Sequence, residues 1–267
     1  MTYFLGIDIG SLFSKVVIID QNRNIKSYAV IRSGAVYKGA AESVAKQALL
    51  KAGLTFEDIS FIVSTGYGRA RVPFADSQIT EISCHGRGAN WAFPEVKTII
   101  DIGGQDSKVI EVNSSGKAVR FAMNDKCAAG TGRFLEVMAG SLDVDLDEMS
   151  ELAQNAKKNI EISSMCTVFA ESEVISLFAN GVEKEEIALS VYNSVARRIT
   201  GLLGQVGKKE KIVMTGGVAK SKGMVKALEK SIGSRLLIPQ EPQIMGALGA
   251  ALIALEKFSK NTTPDCP

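Results

Sequence analysis

The sequence predicts an α/β protein built from two similar halves, each with a mixed β-sheet. The first observation is an internal repeat: residues 8–17 (DIGSLFSKVV) align without gaps on residues 101–110 (DIGGQDSKVI), and six of the ten positions are identical. The second is that short apolar strands alternate with helix-like patterns in both halves. The third is a Gly-Gly turn at residues 216–217 that follows another apolar strand. Because a repeated unit is present, the length favours two domains.

Each copy of the repeat has two apolar strands joined by a short Gly-bearing turn, which is the pattern of a β-hairpin. The first half predicts strands over 4–19, 25–31 and 59–64, a Gly-rich turn at 65–69, and helices over 40–52 and 78–90. The second half predicts strands over 98–102, 108–112, 118–123 and 211–214, and helices over 133–142, 146–156, 168–180, 183–206 and after residue 218. A helix rich in Ala and Gly is predicted over 244–258. We place 1–95 together with 244–267 in a first lobe, and 96–243 in a second.

Composition excludes several classes of function. The chain has 267 residues, 46% of them hydrophobic, and a net charge of +2 without a basic block, so neither nucleic acid nor an anionic membrane is an expected partner. No apolar run is long enough to span a bilayer, and the N-terminus lacks the pattern of a secretory signal. We therefore expect a cytoplasmic protein whose four cysteines are free, catalytic or metal-bound rather than disulfide-paired.

The glycine turns indicate phosphate binding. In each hairpin the glycines allow backbone N–H groups to approach a ligand closely. Asp8 and Asp101 stand at strand ends, where a carboxylate could hold Mg²⁺ directly or through water. The third turn, at residues 215–217, ends a strand and precedes a helix, which suits a nucleoside or an α-phosphate. No P-loop pattern is present.

Two cysteines, Cys127 and Cys166, each precede a helix-like run. They lie 39 positions apart, which matches no local ligand pattern, so spacing alone favours small buried side chains. A zinc site is limited by the single histidine, His85. Two thiolates are also half of the ligand set of an iron–sulfur cluster. Cys84 and His85 are expected to be packing or interlobe residues rather than ligands, and Cys266 lies in a polar tail.

Six strings of this sequence carry a family resemblance. GIDIGS, DIGGQD and MTGGV resemble the phosphate-1, phosphate-2 and adenosine motifs of the actin, hexokinase and Hsp70 superfamily, which has ribonuclease H-like lobes with a nucleotide cleft between them. Within it, TGYGR, NDKCAAGTGRF and CTVFAESEVI are similar to the iron–sulfur activator ATPases, component A, of 2-hydroxyacyl-CoA dehydratases and benzoyl-CoA reductases (BadF/BadG/BcrA/BcrD type).

The resemblance implies roles for particular residues. Asp8 and Asp101 would organise Mg²⁺ and water, and Gln105, or less favourably Asp106, would orient the attacking water. The residues that would surround the β- and γ-phosphates of ATP are Gly10, Ser11, Leu12, Phe13, Ser14, Lys15, Gly103, Gly104 and Gln105. Gly216, Gly217 and Gln243 would flank the nucleoside. Two alternatives remain open: Lys15 could be a surface residue of its strand, and Gln243 could be a polar loop residue without contact to the nucleotide.

The resemblance also implies that Cys127 and Cys166 ligate one [4Fe–4S] cluster per homodimer, with helix N-termini directed at it. The implied function is ATP-dependent transfer of one electron from a ferredoxin or flavodoxin to a partner iron–sulfur dehydratase or reductase, which includes a double-cubane protein. Two alternatives stay open: a small-molecule (sugar) kinase of the same superfamily, and a nucleotide-sensing scaffold.

Overall fold

The computed structural model describes residues 1–34, 37–162 and 166–262. The chain forms two compact units. The first comprises Met1–Val96, Val112–Val119 and Gln243–Pro267, and the second comprises Lys97–Glu111 and Arg120–Pro242. Within the described ranges no helix has the length and apolar character needed to cross a membrane.

The strands are β1 (Tyr3–Ile9), β2 (Phe13–Asp20), β3 (Ile25–Arg32), β4 (Ile59–Thr65), β5 (Ser77–Gln78), β6 (Thr98–Ile102), β7 (Ser107–Val112), β8 (Ala118–Asn124), β9 (Ile212–Thr215) and β10 (Leu236–Leu237). The α-helices are α1 (Tyr37–Ala52), α2 (Glu81–Ala92), α3 (Gly132–Ser141), α4 (Leu146–Asn155), α5 (Thr167–Ala179), α6 (Lys184–Val206), α7 (Lys222–Ile232) and α8 (Met245–Thr262). The α/β class with mixed sheets is therefore confirmed.

The two sheets share one topology. The first has the order β3-β2-β1-β4-β5, and the second has the order β8-β7-β6-β9-β10. In both sheets the central strand pairs antiparallel with the second strand of its hairpin, β1 with β2 and β6 with β7. On its other side the central strand pairs parallel with a strand that follows a long connection, β1 with β4 and β6 with β9. The duplication thus covers five strands in each half and not only the hairpins seen in the sequence.

Helices cover both faces of the first sheet. Leu5, Ile7 and Ile9 of β1 belong to an apolar cluster with α1, whereas Phe4 belongs to a cluster with α8. Alternate side chains of a strand point to opposite faces, so β1 is apolar at successive positions because both of its faces are buried. In the second unit, α3, α6 and α7 contribute to one cluster with Ile100 and Ile102 of β6.

Two elements differ from the prediction. The helix expected over 78–90 begins at Glu81, because the Thr80 side chain accepts a hydrogen bond from Ser83 N, and residues 77–78 form the edge strand β5. The edge strand β10 was not predicted. A strand of two residues carries no readable periodicity.

Candidate functional site

Each unit places one aspartate between a lysine and a threonine. In the first sheet Asp8 is in register with Lys15 on β2 and with Thr65 on β4. In the second sheet Asp101 is in register with Lys108 on β7 and with Thr215 on β9. The side chains of both aspartates are almost completely buried. The two halves therefore present the same polar centre at the end of the central strand.

Ion pairs neutralise both aspartates. Lys15 Nζ lies 3.0 Å from Asp8 Oδ2, and Lys108 Nζ lies 3.4 Å from Asp101 Oδ2. Thr215 Oγ1 also donates to Asp101 Oδ1 at 2.9 Å. A buried carboxylate is stable only with such partners. Lys15 is thus an internal ion-pair partner and not a surface residue. Lys108 is its equivalent, which the prediction did not include although the spacing between aspartate and lysine is the same in both repeats.

A glycine follows the threonine in each half. Gly66 and Gly216 have φ of +83° and +88°, a conformation that favours glycine. A Cβ atom on Gly66 would collide with Asp8 Oδ1, and one on Gly216 would lie 2.9 Å from Asp101 Oδ1. These residues therefore have to lack a side chain, because the aspartate occupies that space. The turn at 65–69 and the turn at 215–217 are equivalent by duplication, which the sequence did not reveal.

The first hairpin turn is closed by its own backbone and by the end of β3. Gly10 N donates to Phe13 O at 3.0 Å, and Ser33 Oγ donates to Gly10 O at 2.7 Å. The buried Ser14 hydroxyl is hydrogen-bonded to Ser33 Oγ at 2.9 Å. The Ser14 side chain is thus committed to the fold, and Ser11, Leu12 and Phe13 are the half-buried residues of this turn.

The second turn has the same closure, since Gly103 N donates to Asp106 O at 2.9 Å. Asp106 Oδ2 lies 2.7 Å from Lys108 Nζ, so that one buried ammonium bridges two carboxylates. Gln105 is exposed and Gly104 is half-buried at the same turn. An exposed amide next to a buried charge network can orient a water molecule.

The third turn differs from the expectation. Gly217–Lys220 is a short 3₁₀ helix, and α7 begins only at Lys222, where Ser221 caps it by accepting from Met224 N. The turn therefore does not open an α-helix directly, so an α-phosphate bound at it would not lie at an α-helix N-terminus. Gln243 is half-buried in the 3₁₀ helix Pro242–Ile244, which immediately precedes α8.

The cysteines differ in exposure. Cys166 is exposed and is the N-cap residue of α5, and Cys127 is half-buried in the loop before α3. Cys84 is fully buried in α2, and burial raises the pKa of its thiol to about 12, so it is not a thiolate at neutral pH. Cys266 lies outside the described residues. Within the part of the chain that the structure describes, no three His, Cys, Asp or Glu side chains form a metal-binding group.

Hydrogen bonds connect the second hairpin turn to the start of α3, which follows the loop of Cys127. Gly132 N donates to Gly103 O at 2.9 Å, and Arg133 N donates to Gly104 O at 2.8 Å. The first N–H groups of α3 therefore bind the hairpin turn, which corrects the expectation that they point at a cluster. On the other side of the loop, Asn124 Nδ2 donates to Cys127 O at 2.8 Å.

A duplicated sheet with a buried aspartate, a glycine turn and a lysine in each half defines an ATPase of the actin and hexokinase fold class. Residues 5–254 match the BadF/BadG/BcrA/BcrD ATPase family, and the chain belongs to that family. The activator of lactoyl-CoA dehydratase from Anaerotignum propionicum is 49% identical over 258 residues, which cover 97% of this chain and 99% of the relative.

Two solved structures are closely similar. The (R)-2-hydroxyglutaryl-CoA dehydratase component A of Acidaminococcus fermentans superposes with a TM-score of 0.93 at 45% identity, covering 97% of this chain and 100% of the other. The activator of the 2-hydroxyisocaproyl-CoA dehydratase from Clostridium difficile with bound ADPNP has a TM-score of 0.92 at 43% identity and covers 99% of each chain. A ROK family glucokinase from Streptomyces griseus, at 14% identity and a TM-score of 0.58, shares the fold alone.

Proposed function

We propose that this ATPase uses ATP to drive the transfer of one electron from a ferredoxin or flavodoxin to a partner iron–sulfur dehydratase or reductase. The observation that carries the proposal is the hydrogen-bonded connection from Gly103 and Gly104 through the start of α3 to the loop of Cys127. It joins a phosphate-binding turn to a thiol within one unit. A change of backbone geometry at the turn would therefore reach the cysteine loop.

The substrate of the ATPase is MgATP, bound through the hairpin turns. The turns at residues 10–13 and 103–105 supply backbone N–H groups for the β- and γ-phosphates, and the turn at 216–217 with Gln243 flanks the nucleoside. Mg²⁺ would enter with the phosphates, and a site with one or two carboxylates suits a magnesium ion that stays largely hydrated. Asp8 and Asp101 would hold it through its water ligands, and Gln105 would orient the attacking water.

The thiols fit a cluster shared by two chains. Cys84 is excluded by its burial and raised pKa, so that Cys127 and Cys166 are the ligands one described chain can offer. A [4Fe–4S] cluster takes four thiolates, and a twofold axis would supply them from two copies. When bound, the cluster would accept and donate the single electron. Cys166, as the N-cap of α5, would hold its thiolate near the positive end of that helix.

The surface of α5 supports the homodimer. Val168, Phe169, Ile175 and Phe178 are exposed large apolar side chains on this one helix. Such a patch marks an interaction surface. A second copy would cover it and bring the second pair of thiols to the same place.

The identity of the electron acceptor rests on the relatives. The similar proteins are described as activators of lactoyl-CoA, 2-hydroxyisocaproyl-CoA and (R)-2-hydroxyglutaryl-CoA dehydratases. A further relative, from Thauera aromatica, is 31% identical over 263 residues and is one of the subunits of benzoyl-CoA reductase. We therefore infer an acceptor of the dehydratase class, or a benzoyl-CoA-reductase-like or double-cubane protein.

The proposal is tested with anaerobically purified protein. We expect about four iron and four sulfide per dimer, lost in Cys127→Ala and in Cys166→Ala while binding of a fluorescent ATP analogue persists. Cys84→Ala is the matched control, because its thiol is buried away from solvent, and it should keep the cluster. Full iron loading in both ligand variants, or a monomer by light scattering in the loaded protein, would contradict the proposal. Phe169→Ser should weaken the dimer, whereas Leu50→Ser, at an exposed apolar position of α1, should not.

A further inference from the structure

His85 is the only histidine of the chain, and it is 95% buried in α2. The function proposed above assigns it no role. A buried imidazole close to a reacting group is a candidate for setting the orientation of that group. Its position relative to Asp8 follows from a glycine of α8.

Gly246, in the first turn of α8, brings His85 and Asp8 together. A Cβ atom built on Gly246 would lie 2.9 Å from His85 Nε2 and 3.0 Å from Asp8 Oδ2. The imidazole and the carboxylate thus converge on the space that a side chain at this position would occupy. Any residue other than glycine would have to push one of them away.

The crossing of α2 and α8 fixes the histidine in this place. A Cβ atom on Gly249 would collide with Cys84 O, and one on Gly88 would collide with Met245 O. The two helices are therefore in close backbone contact on both sides of His85, and neither can move closer to the other without a clash. The ring is held by the packing of the helices and not by a mobile loop.

The carboxylate of Asp8 is enclosed from the other directions. Lys15 Nζ lies 3.0 Å from Oδ2, and Gly66 lies against Oδ1. In the second unit Asp101 instead accepts from Thr215 Oγ1. The duplicated halves therefore differ at this point, because a histidine next to the aspartate occurs in the first unit alone.

We propose that His85 is a positioning residue for Asp8: its Nε2 side holds the carboxylate in the orientation in which it binds the hydrated Mg²⁺ of MgATP. The inference rests on the proposed ATPase function. Orienting groups of this kind affect the chemical step more than the binding of the substrate, because the nucleotide is bound mainly by the backbone of the turns. Loss of the imidazole should therefore lower kcat and leave KM almost unchanged.

The experiment measures steady-state ATP hydrolysis, the dependence on Mg²⁺ concentration, and the affinity for a fluorescent ATP analogue. We expect His85→Ala to lower kcat about 10-fold, while the Mg²⁺ concentration needed for half-maximal rate and the affinity for the analogue stay within about twofold of wild type. His85→Gln retains an amide donor at similar reach and should recover most of the rate. Equal kcat for His85→Ala and wild type would overturn the inference, as would equal losses in the Ala and Gln variants at unchanged Tm.

A second variant addresses the geometry. Gly246→Ala should reproduce the loss of kcat, and the double variant Gly246→Ala/His85→Ala should be no slower than Gly246→Ala alone, since both changes act on one contact. Gly201→Ala, at a helical glycine of α6 with open space beside it, is the matched control and should keep the full rate. An additive loss in the double variant would overturn the inference. Absence of hydrolysis in the wild type would instead overturn the proposed function itself.

Discussion

Removing Lys108 should destabilise the second unit strongly. Its side chain is only 3% exposed, and it bridges Asp101, whose side chain is 4% exposed, and Asp106, whose side chain is 32% exposed. In Lys108→Met the apolar stem is retained but the charge is lost. Asp101 is then left as a buried carboxylate without its cation, a change that costs about 3–5 kcal/mol. Loss of the ion pair with Asp106 adds little to this cost, because water can solvate the exposed part of the Asp106 carboxylate.

The assays are urea unfolding and thermal unfolding, both followed by far-UV circular dichroism. A loss of unfolding free energy of that size corresponds to a fall in Tm on the order of 10 °C for a chain of this length. Adding Asp101→Asn should recover part of the stability, since a neutral amide still accepts from Thr215 and needs no cation. Arg133→Met is the control: the pair with Glu136 is 3.1 Å long, but the arginine is 55% exposed, and its removal should cost about 0.5 kcal/mol or less. If Lys108→Met is as stable as Arg133→Met, the reasoning is refuted.

Three further predictions concern groups outside this network. In cluster-free protein, alkylation followed by mass spectrometry should label the exposed Cys166 within minutes and leave Cys84, with its pKa of about 12, unlabelled until the protein unfolds; rapid labelling of Cys84 would contradict its burial. Burial raises the pKa of Asp20, but hydrogen bonds from Asn24 and Asn22 together outweigh this and leave the pKa lowered. The Asp20 carboxylate therefore stabilises the fold above about pH 4, and this stabilisation is lost as the pH falls further. In Asp20→Asn the unfolding free energy should consequently decrease less steeply with falling pH below about pH 4, as measured by urea unfolding at several pH values. Gly216→Ala should cost more than about 2 kcal/mol, because its φ of 88° and ψ of 169° form a conformation open essentially to glycine alone and because a Cβ atom would clash with Ile102 O; Gly53→Ala, with φ of +68° and open space, should cost only about 1 kcal/mol, and equal losses in the two variants would contradict this reasoning.

The sequence predicted the hairpins well, because two apolar runs joined by a short Gly-bearing turn occur twice with the same spacing, which is a strong local signal. It also contained the pairing of Asp8 with Lys15: a seven-residue separation across a tight turn puts both residues opposite each other, and the repeat has the same separation between Asp101 and Lys108. The prediction used this signal for neither lysine: it placed Lys15 beside the phosphates from the family resemblance and did not name Lys108.

Other parts of the site could not be read from the sequence. The threonine that lies beside each aspartate in the sheet comes from a parallel strand, so its register depends on packing across a long connection and leaves no local pattern. The place of His85 depends on glycines of α8 that lie far away in the chain. The hydrogen bonds from Gly132 and Arg133 to the second hairpin turn involve backbone groups alone. Because every residue type except proline has the same backbone groups, such bonds leave no pattern in the sequence.

The hairpin turns of the two sheets are bonded to different parts of the chain, and this difference affects how ATP could act on the thiols. In the first unit the turn at residues 10–13 is tied to Ser33 at the end of β3, and Asp8 is enclosed by α2 and α8. In the second unit the equivalent turn is tied to α3, five residues beyond Cys127. Among the described residues, the bonds of the first turn end at Phe13 and Ser33, whereas those of the second turn end at the start of α3, beside a loop that bears a thiol. If the turns bind phosphate as proposed, a change at the second turn has a bonded route to Cys127. Under the proposed function, we therefore expect substitutions at Gly103 to impair electron transfer more than ATP hydrolysis, and substitutions at Gly10 to abolish both, as measured by phosphate release and by reduction of the partner protein.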